Sequence, residues 1–306
     1  MTRITFQIVS IVFFAFVTGG SLFAQPHVVV AAGVFEDGRT GHQFEFALAA
    51  AADGGVSASN GIMALRTVTQ LQAQQGDVES IEAVAEQIAF FIEDGIPVRA
   101  DIMATADVKL HRGRQLRDLP ARFVVSESSV SVVVTDPRDG LLYFGTDGGI
   151  ISGRTRIEQF APSLLVICLG EATEVPTDFQ AAAAIAEDGR AIGNLSLLAN
   201  RDDGDLIHVE GDVDFAALRS NNGGGRPQLL LMGAGGVDVV RPDGTSPDIC
   251  FGEFSFLANE GPHGPYRLEM PDCRDPLAGI EGSDIGTGGV NVTAASTSPL
   301  PRRRDR

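Results

Sequence analysis

Phe44-Glu-Phe-Ala-Leu-Ala-Ala-Ala-Ala-Asp-Gly54 and, 135 residues further on, Phe179-Gln-Ala-Ala-Ala-Ala-Ile-Ala-Glu-Asp-Gly189 are the stretches whose reading decides the fold. Alanine prefers helix, so the runs at 47–52 and 181–184 read two ways. The phenylalanine before each run and the Asp-Gly pair after it favour strands leading into hairpins. On that reading the chain is mainly β. Elsewhere, short β-branched runs such as Phe123–Val125, Val130–Val134 and Val237–Val240 are bounded by Asp-Pro or Asp-Gly turns. Turn signals fall about every 8–12 residues, the spacing of a sandwich or barrel.

The two opening stretches belong to a wider self-similarity. Glu36, Phe44, Asp53 and Gly54 match Glu171, Phe179, Asp188 and Gly189 at an offset of 135. Pro120 to Gly145 lines up with Pro227 to Gly252 at an offset of 107, and Ile102, Asp107 and Val108 match Ile207, Asp212 and Val213 at 105. The fall in offset implies an inserted element in the first copy. Asp77 serves as an N-cap. Ile81, Val84, Ala85, Ile88, Phe91 and Ile92 recur at helical spacing, and Gly95 and Pro97 end the run. The expectation is an amphipathic helix over about 66–96, with Glu79, Glu82 and Glu86 on its wet side.

The expected organisation is therefore a signal peptide over 1–24, a first β domain with the helical insertion over 25–160, and a second β domain repeating the first over 161–275. A disordered tail follows over 276–306, Gly/Ser/Thr-rich and ending Pro301-Arg-Arg-Arg-Asp-Arg306. Arg3, the apolar stretch Ile8–Val17, the small residues Gly19 to Ser21, and Ala24 before Gln25 carry the export signal. No other run approaches about 18 continuous apolar residues, so no stable transmembrane anchoring is expected after signal removal. The destination is secreted, periplasmic or cell-surface.

The run Phe179 to Leu218 joins an aromatic strand, Asp188-Gly189, Gly193 and Ile207-x-Val209, and the hairpin 249–270 follows. It resembles secreted bacterial tandem β-sandwich modules of unknown function. The resemblance implies two related β-sandwich or barrel-like domains and no activity.

Composition limits the function classes. The chain has 306 residues, 40 acidic and 23 basic, for a formal charge of −17, which opposes a nucleic-acid partner. It has no Trp and two Tyr, so sugar or base platforms are scarce. Lys109 is its single lysine. Cys250 and Cys273 flank a hairpin and are candidates for a disulfide, although the pairing of Phe254 and Phe256 with Leu268 and Met270 sends the two cysteines to opposite faces unless a bulge near Pro271 intervenes. Cys168 reads as a buried small hydrophobe. No His pair has zinc spacing. Gly233-Ala-Gly-Gly236 has no helix after it to hold a pyrophosphate and reads as a tight hairpin.

Acidic turns are the remaining site signal: Asp136 to Asp139, Asp147, Asp212 and Asp214, with Asp202, Asp203 and Asp205 the calcium candidates. Otherwise they are turn formers, and no cofactor is expected. The arginine-rich end could hold a polyanion, fold back on the acidic body or do neither. The resulting expectation is an exported, non-catalytic binding or structural module with an unidentified extracellular ligand or protein partner. The alternative is a carboxylate-dependent hydrolase of an extracellular polymer, which needs a concave pocket with two carboxylates about 5–10 Å apart.

Overall fold

A computed structural model describes residues 26–52, 57–58, 60–68, 78–111, 113–138, 148–172, 177–201, 203–219, 226–246, 248–274 and 286–297. They are almost entirely antiparallel β. The first sheet contains β1 (His27–Asp37), β2 (Gln43–Ala52), the short β3 (Ser57–Ala58), β4 (Asn60–Thr67), β5 (Val78–Glu93), β6 (Ile96–Leu110), β7 (Gln115–Ser126), β8 (Ser129–Val134) and β9 (Gly148–Gln159). Pairings run β1–β2–β4–β5–β6–β7–β8–β9 and return to β1, so the sheet closes on itself. The ladder is thinnest at β8–β9, where only two residue pairs are joined. β3 pairs with β5 on the edge that β4 also uses, further along the strand.

The second sheet is a closed barrel of β10 (Leu164–Ala172), β11 (Thr177–Ile185), β12 (Arg190–Asn200), β13 (Leu206–Arg219), β14 (Gln228–Val240), β15 (Asp248–Asn259), β16 (Gly261–Glu269) and β17 (Gly286–Ser296), with each strand paired to the next and β17 to β10. Closure gives each strand of the second ring a partner on both sides. Both interiors are filled. Phe35, Phe46, Phe123, Ile81 and Ile102 pack inside the first barrel. In the second, the Phe179 ring lies 5.1 Å from Phe256 and 5.0 Å from Tyr266.

The alanine runs are strands because they are buried on both faces. Along β2, Phe44, Phe46, Leu48 and Ala50 point into the first barrel. Ala47, Ala49 and Ala51 point outward, where with Val28, Val30 and Ala32 of β1 they meet Leu165, Ile167, Ala182, Ala184 and Ile192 of the second barrel. Two closed sheets that press together need short side chains where their outer walls touch. Alanine supplies that without the helix its propensity favours, since burial overrides propensity.

The 135-residue offset joins strands that hold the same ring position. Phe35 pairs with Phe44 across β1–β2, and the equivalent Gly170 pairs with Phe179 across β10–β11. The other offsets do not keep ring position. Ile102 lies on β6, fifth in its ring, whereas Ile207 lies on β13, fourth in the other. No inserted helix lies between them among the described residues.

Three expectations are corrected. The helix over 66–96 is absent, and its apolar run is strand β5. Ile81, Ala83 and Ala85 face inward by simple alternation; a bulge between Ala85 and Gln87 then shifts the inward set to Ile88. One extra residue in a period-two pattern imitates helical spacing. Gly95 is no helix stop. Asp94 (φ 51°) and Gly95 (φ 82°) turn the β5–β6 hairpin, the Asp-Gly signature of a two-residue loop. Asp77, read as the cap, lies outside the described residues.

The second correction is at the C-terminal end: residues 286–296, expected in the disordered tail, form β17. Val290 and Val292 point into the core, and an added Cβ at Gly288 would lie 1.7 Å from the Glu171 carbonyl oxygen, so its small residues fit a close neighbour rather than a loose tail. Third, Gly233–Gly236 lies inside the continuous strand β14 rather than in a hairpin. A Cβ at Gly233 would sit 1.8 Å from the Asp212 carbonyl oxygen, so the glycines let β13 approach.

Cys250 and Cys273 are joined by a disulfide. Phe256 does pair with Leu268, and the 3-10 turn Pro271–Cys273 brings Cys273 back to β15. Cys168 is buried in the second barrel, and burial pushes its thiol up to about 12, which leaves it inert at neutral pH.

Two outcomes are expected. Ala49→Leu should lower urea-unfolding stability by about 1–3 kcal/mol, the cost of overpacking; a loss under about 0.5 kcal/mol would mean the walls are not pressed together there. Reducing the disulfide should cost about 3 kcal/mol, visible as a fall in melting temperature with dithiothreitol that Cys250→Ser reproduces.

Candidate functional site

The seam between the barrels has two polar flanks, one sealed and one open. On the sealed flank, Asn194 Nδ2 donates to the carbonyl oxygens of Val30 (3.3 Å) and Arg154 (2.9 Å). Ser152 and Ser196 hydroxyls lie 3.3 Å apart, and Gly153 N donates to Glu210 at 2.5 Å. Arg154 pairs with Glu210 and Asp212 at 3.5 and 3.2 Å. Burial alone would raise the Glu210 carboxyl, but His208, Gly153 N and Arg154 together hold it below its ordinary range. Beyond Arg154 a shallow concavity of about 540 Å³ runs over Gly235 to the exposed Phe251.

On the open flank, β4 meets β10 and β17, and beside this contact residues of β4, β5, β10 and β17 line a groove of two adjoining cavities, about 270 and 290 Å³. Ile62, Ala64, Val84 and Ile167 form apolar walls of the first cavity, and Glu82, Asp107 and Asp118 supply its charge. No Lys or Arg is among its described lining residues. Glu82 and Asp107 are direct cross-strand partners on β5 and β6. Like charges placed so are destabilising by some tenths of a kcal/mol or more. Asp107 Oδ1 accepts one bond, from Asp118 N at 3.0 Å. The second cavity shares Ala64 and Glu82 and runs on to Arg66, Glu79, His111 and Glu171. There Arg66 Nε donates to Glu45 Oε2 at 2.5 Å, and Glu79 is paired with Lys109 of β6.

Beneath Arg66 lies a buried carboxyl pair. Glu45 of β2 and Asp178 of β11 face each other across the seam, and both are almost wholly buried. Burial, and next to it the Asp178 charge, hold the Glu45 carboxyl well above its usual range, against the pull of Arg66. Burial pushes Asp178 up to about 6, with Glu171 adding to it and the Glu45 hydrogen bond and Arg66 opposing. Burial thus favours the protonated form of Glu45, with the Arg66 guanidinium opposing it. Glu45 and Asp178 line neither cavity, whereas Arg66 and Glu171 line the second.

Of the calcium candidates, Asp202 lies outside the described residues, as do Asp139 and Asp147. Asp203 Oδ1 accepts from Asp205 N at 3.1 Å and its carboxylate pairs with Arg201 at 3.7 Å, which is the work of a turn residue. Asp136 likewise accepts from Arg138 N at 2.8 Å. Among the described residues no three His, Cys, Asp or Glu are grouped to hold a metal ion. No described helix is long and apolar enough to cross a membrane. The residues the sequence reading passed over are Glu45, Asp178 and the Glu82–Asp107 pair. A lone acid on the outer face of each alanine strand was the available signal for the first two.

The buried pair gives the stability a pH dependence. Asp178, raised on folding, holds a proton that the unfolded chain has lost, so the stability it contributes is complete below about pH 4 and is lost as pH rises to about 6. For Asp178 that loss is about 3 kcal/mol. Asp178→Asn should flatten this segment of the melting-temperature profile; an unchanged slope would remove Asp178 as its source.

Compared with known protein families, with curated proteins and with solved structures, the chain matches none.

Proposed function

We propose that the chain is an exported binding module without catalysis of its own, and that its ligand site is the open groove, which takes a cationic, extended segment. The observation that carries this is the first cavity: Glu82, Asp107 and Asp118 over apolar walls, with no cation among the described residues lining it. A guanidinium between Glu82 and Asp107 relieves their repulsion and gains charge-assisted hydrogen bonds. Filled barrel interiors favour a site on the outer walls over one in a lumen. Export is supported by Arg3 and the apolar stretch that follows, and the Cys250–Cys273 bridge suits an oxidising compartment. The hydrolase alternative finds no support in Glu45 and Asp178, whose carboxyls are raised by burial but line neither cavity.

The test is anisotropy of a labelled tetra-arginine peptide titrated with the full chain, its four arginines at 302, 303, 304 and 306 changed to glutamine so that they do not compete. Saturable binding is expected, weakened at least about tenfold by Glu82→Gln with Asp107→Asn and by raising salt from about 0.05 to 0.5 M. Binding that ignores the two substitutions, or no binding, overturns the proposal.

A further inference from the structure

β17 ends at the mouth of the groove. Thr297 N donates to Ser163 O at 3.1 Å, and Thr297 O accepts from Asn60 Nδ2 at 3.3 Å. Asn60 opens β4, whose Ile62 and Ala64 wall the first cavity, and Thr293 of β17 lines the same cavity. The sequence beyond is Ser298-Pro-Leu-Pro-Arg-Arg-Arg-Asp-Arg306, with four arginines and one aspartate. Pro299 and Pro301 have no amide hydrogen with which to extend the β17 ladder.

Distance permits a return into the groove. An extended chain spans about 3.3–3.6 Å per residue, so Arg302 reaches roughly 17 Å from Thr297. Thr293 lies roughly 13 Å back along the strand. Charge also fits: a segment with four arginines meets three carboxylates that have no cation of their own among the described lining residues. Leu300 precedes them and suits walls of Ile62, Val84 and Ile167, of which Val84 is 60% exposed.

We infer that the chain's own segment Arg302–Arg306 docks in the first cavity, a guanidinium between Glu82 and Asp107, and occupies the groove until a cationic ligand displaces it. The inference rests on reading the groove as a cation-taking site. Tethering gives the segment an effective concentration of order millimolar, so even weak contacts keep it seated.

The test exploits the single lysine. In Arg304→Lys, a carbodiimide should join the new amine to Glu82, Asp107 or Asp118 within one chain, read by peptide mass spectrometry. The native Lys109–Glu79 pair supplies the internal control cross-link. In a mixture of light and heavy isotope-labelled chains, joints solely between unlike chains would overturn intramolecular docking, as would the control joint forming alone. The labelled tetra-arginine peptide separates this inference from the groove reading. Wild type should bind it at least about tenfold more weakly than the chain with glutamine at the four arginines. Equal, saturable binding to both overturns tail docking and leaves the groove standing; no binding to either, with the control joint alone, overturns both.

Discussion

Burial on both faces is the constraint on which the structure depends. β1, β2, β10 and β11 each have one face in a barrel core and the other against a second closed sheet. Neither face is wet, so the sequence there loses the apolar–polar alternation of ordinary barrel strands. It becomes Val28-Val-Val-Ala-Ala32, Ala49–Ala52 and Ala181–Ala184, all essentially buried. Side-chain size on the outer wall is set by how closely the sheets approach. Some polar atoms there find partners, as with Asn194 Nδ2 on Val30 and Arg154 or Glu45 Oε2 on Arg66, whereas both side-chain polar atoms of Gln180 are buried without a hydrogen bond.

Much of this was legible in residues 44–54 and 179–189, because Phe and Asp-Gly bracket the alanines and override their helical preference. The β5 strand was not, because its bulge gives an alternating pattern the spacing of a helix, and Asp94-Gly95 fits a hairpin turn as well as a helix end. β17 was hidden by composition: Gly, Thr and Ser signal loops unless a neighbouring backbone is known to press on Gly288. The groove was beyond local reading altogether. Glu82 and Asp107 become neighbours only once β5 pairs with β6, and Glu82 had looked like the wet side of a helix. Cys250 and Cys273 were visible as candidates, but the turn at Pro271 that aligns them is a tertiary matter.

The two flanks of the seam treat charge differently. Around Arg154 each carboxylate named has a donor, and the network ties the walls together. Around Glu82 the carboxylates are gathered without a cation of their own among the described lining residues, and the walls between them are apolar and open. A stabilising network would place charges in the first way. The second way leaves unspent attraction for something positive, which is why the groove, rather than the filled barrels, is the reading the geometry favours for binding.

The position of β17 has a further consequence for how the molecule is assembled during synthesis. The first ring is complete in sequence by Gln159, whereas the second lacks its closing strand until residue 296 has been made. Through that interval the finished first barrel presents an outer wall of Val28, Val30, Ala47 and Ala49 with nothing yet to cover it. The wall is too apolar to stay exposed safely and too smooth to select one partner. The residues that cover it lie on β10, β11 and β12, strands whose ring stays open until β17 is made.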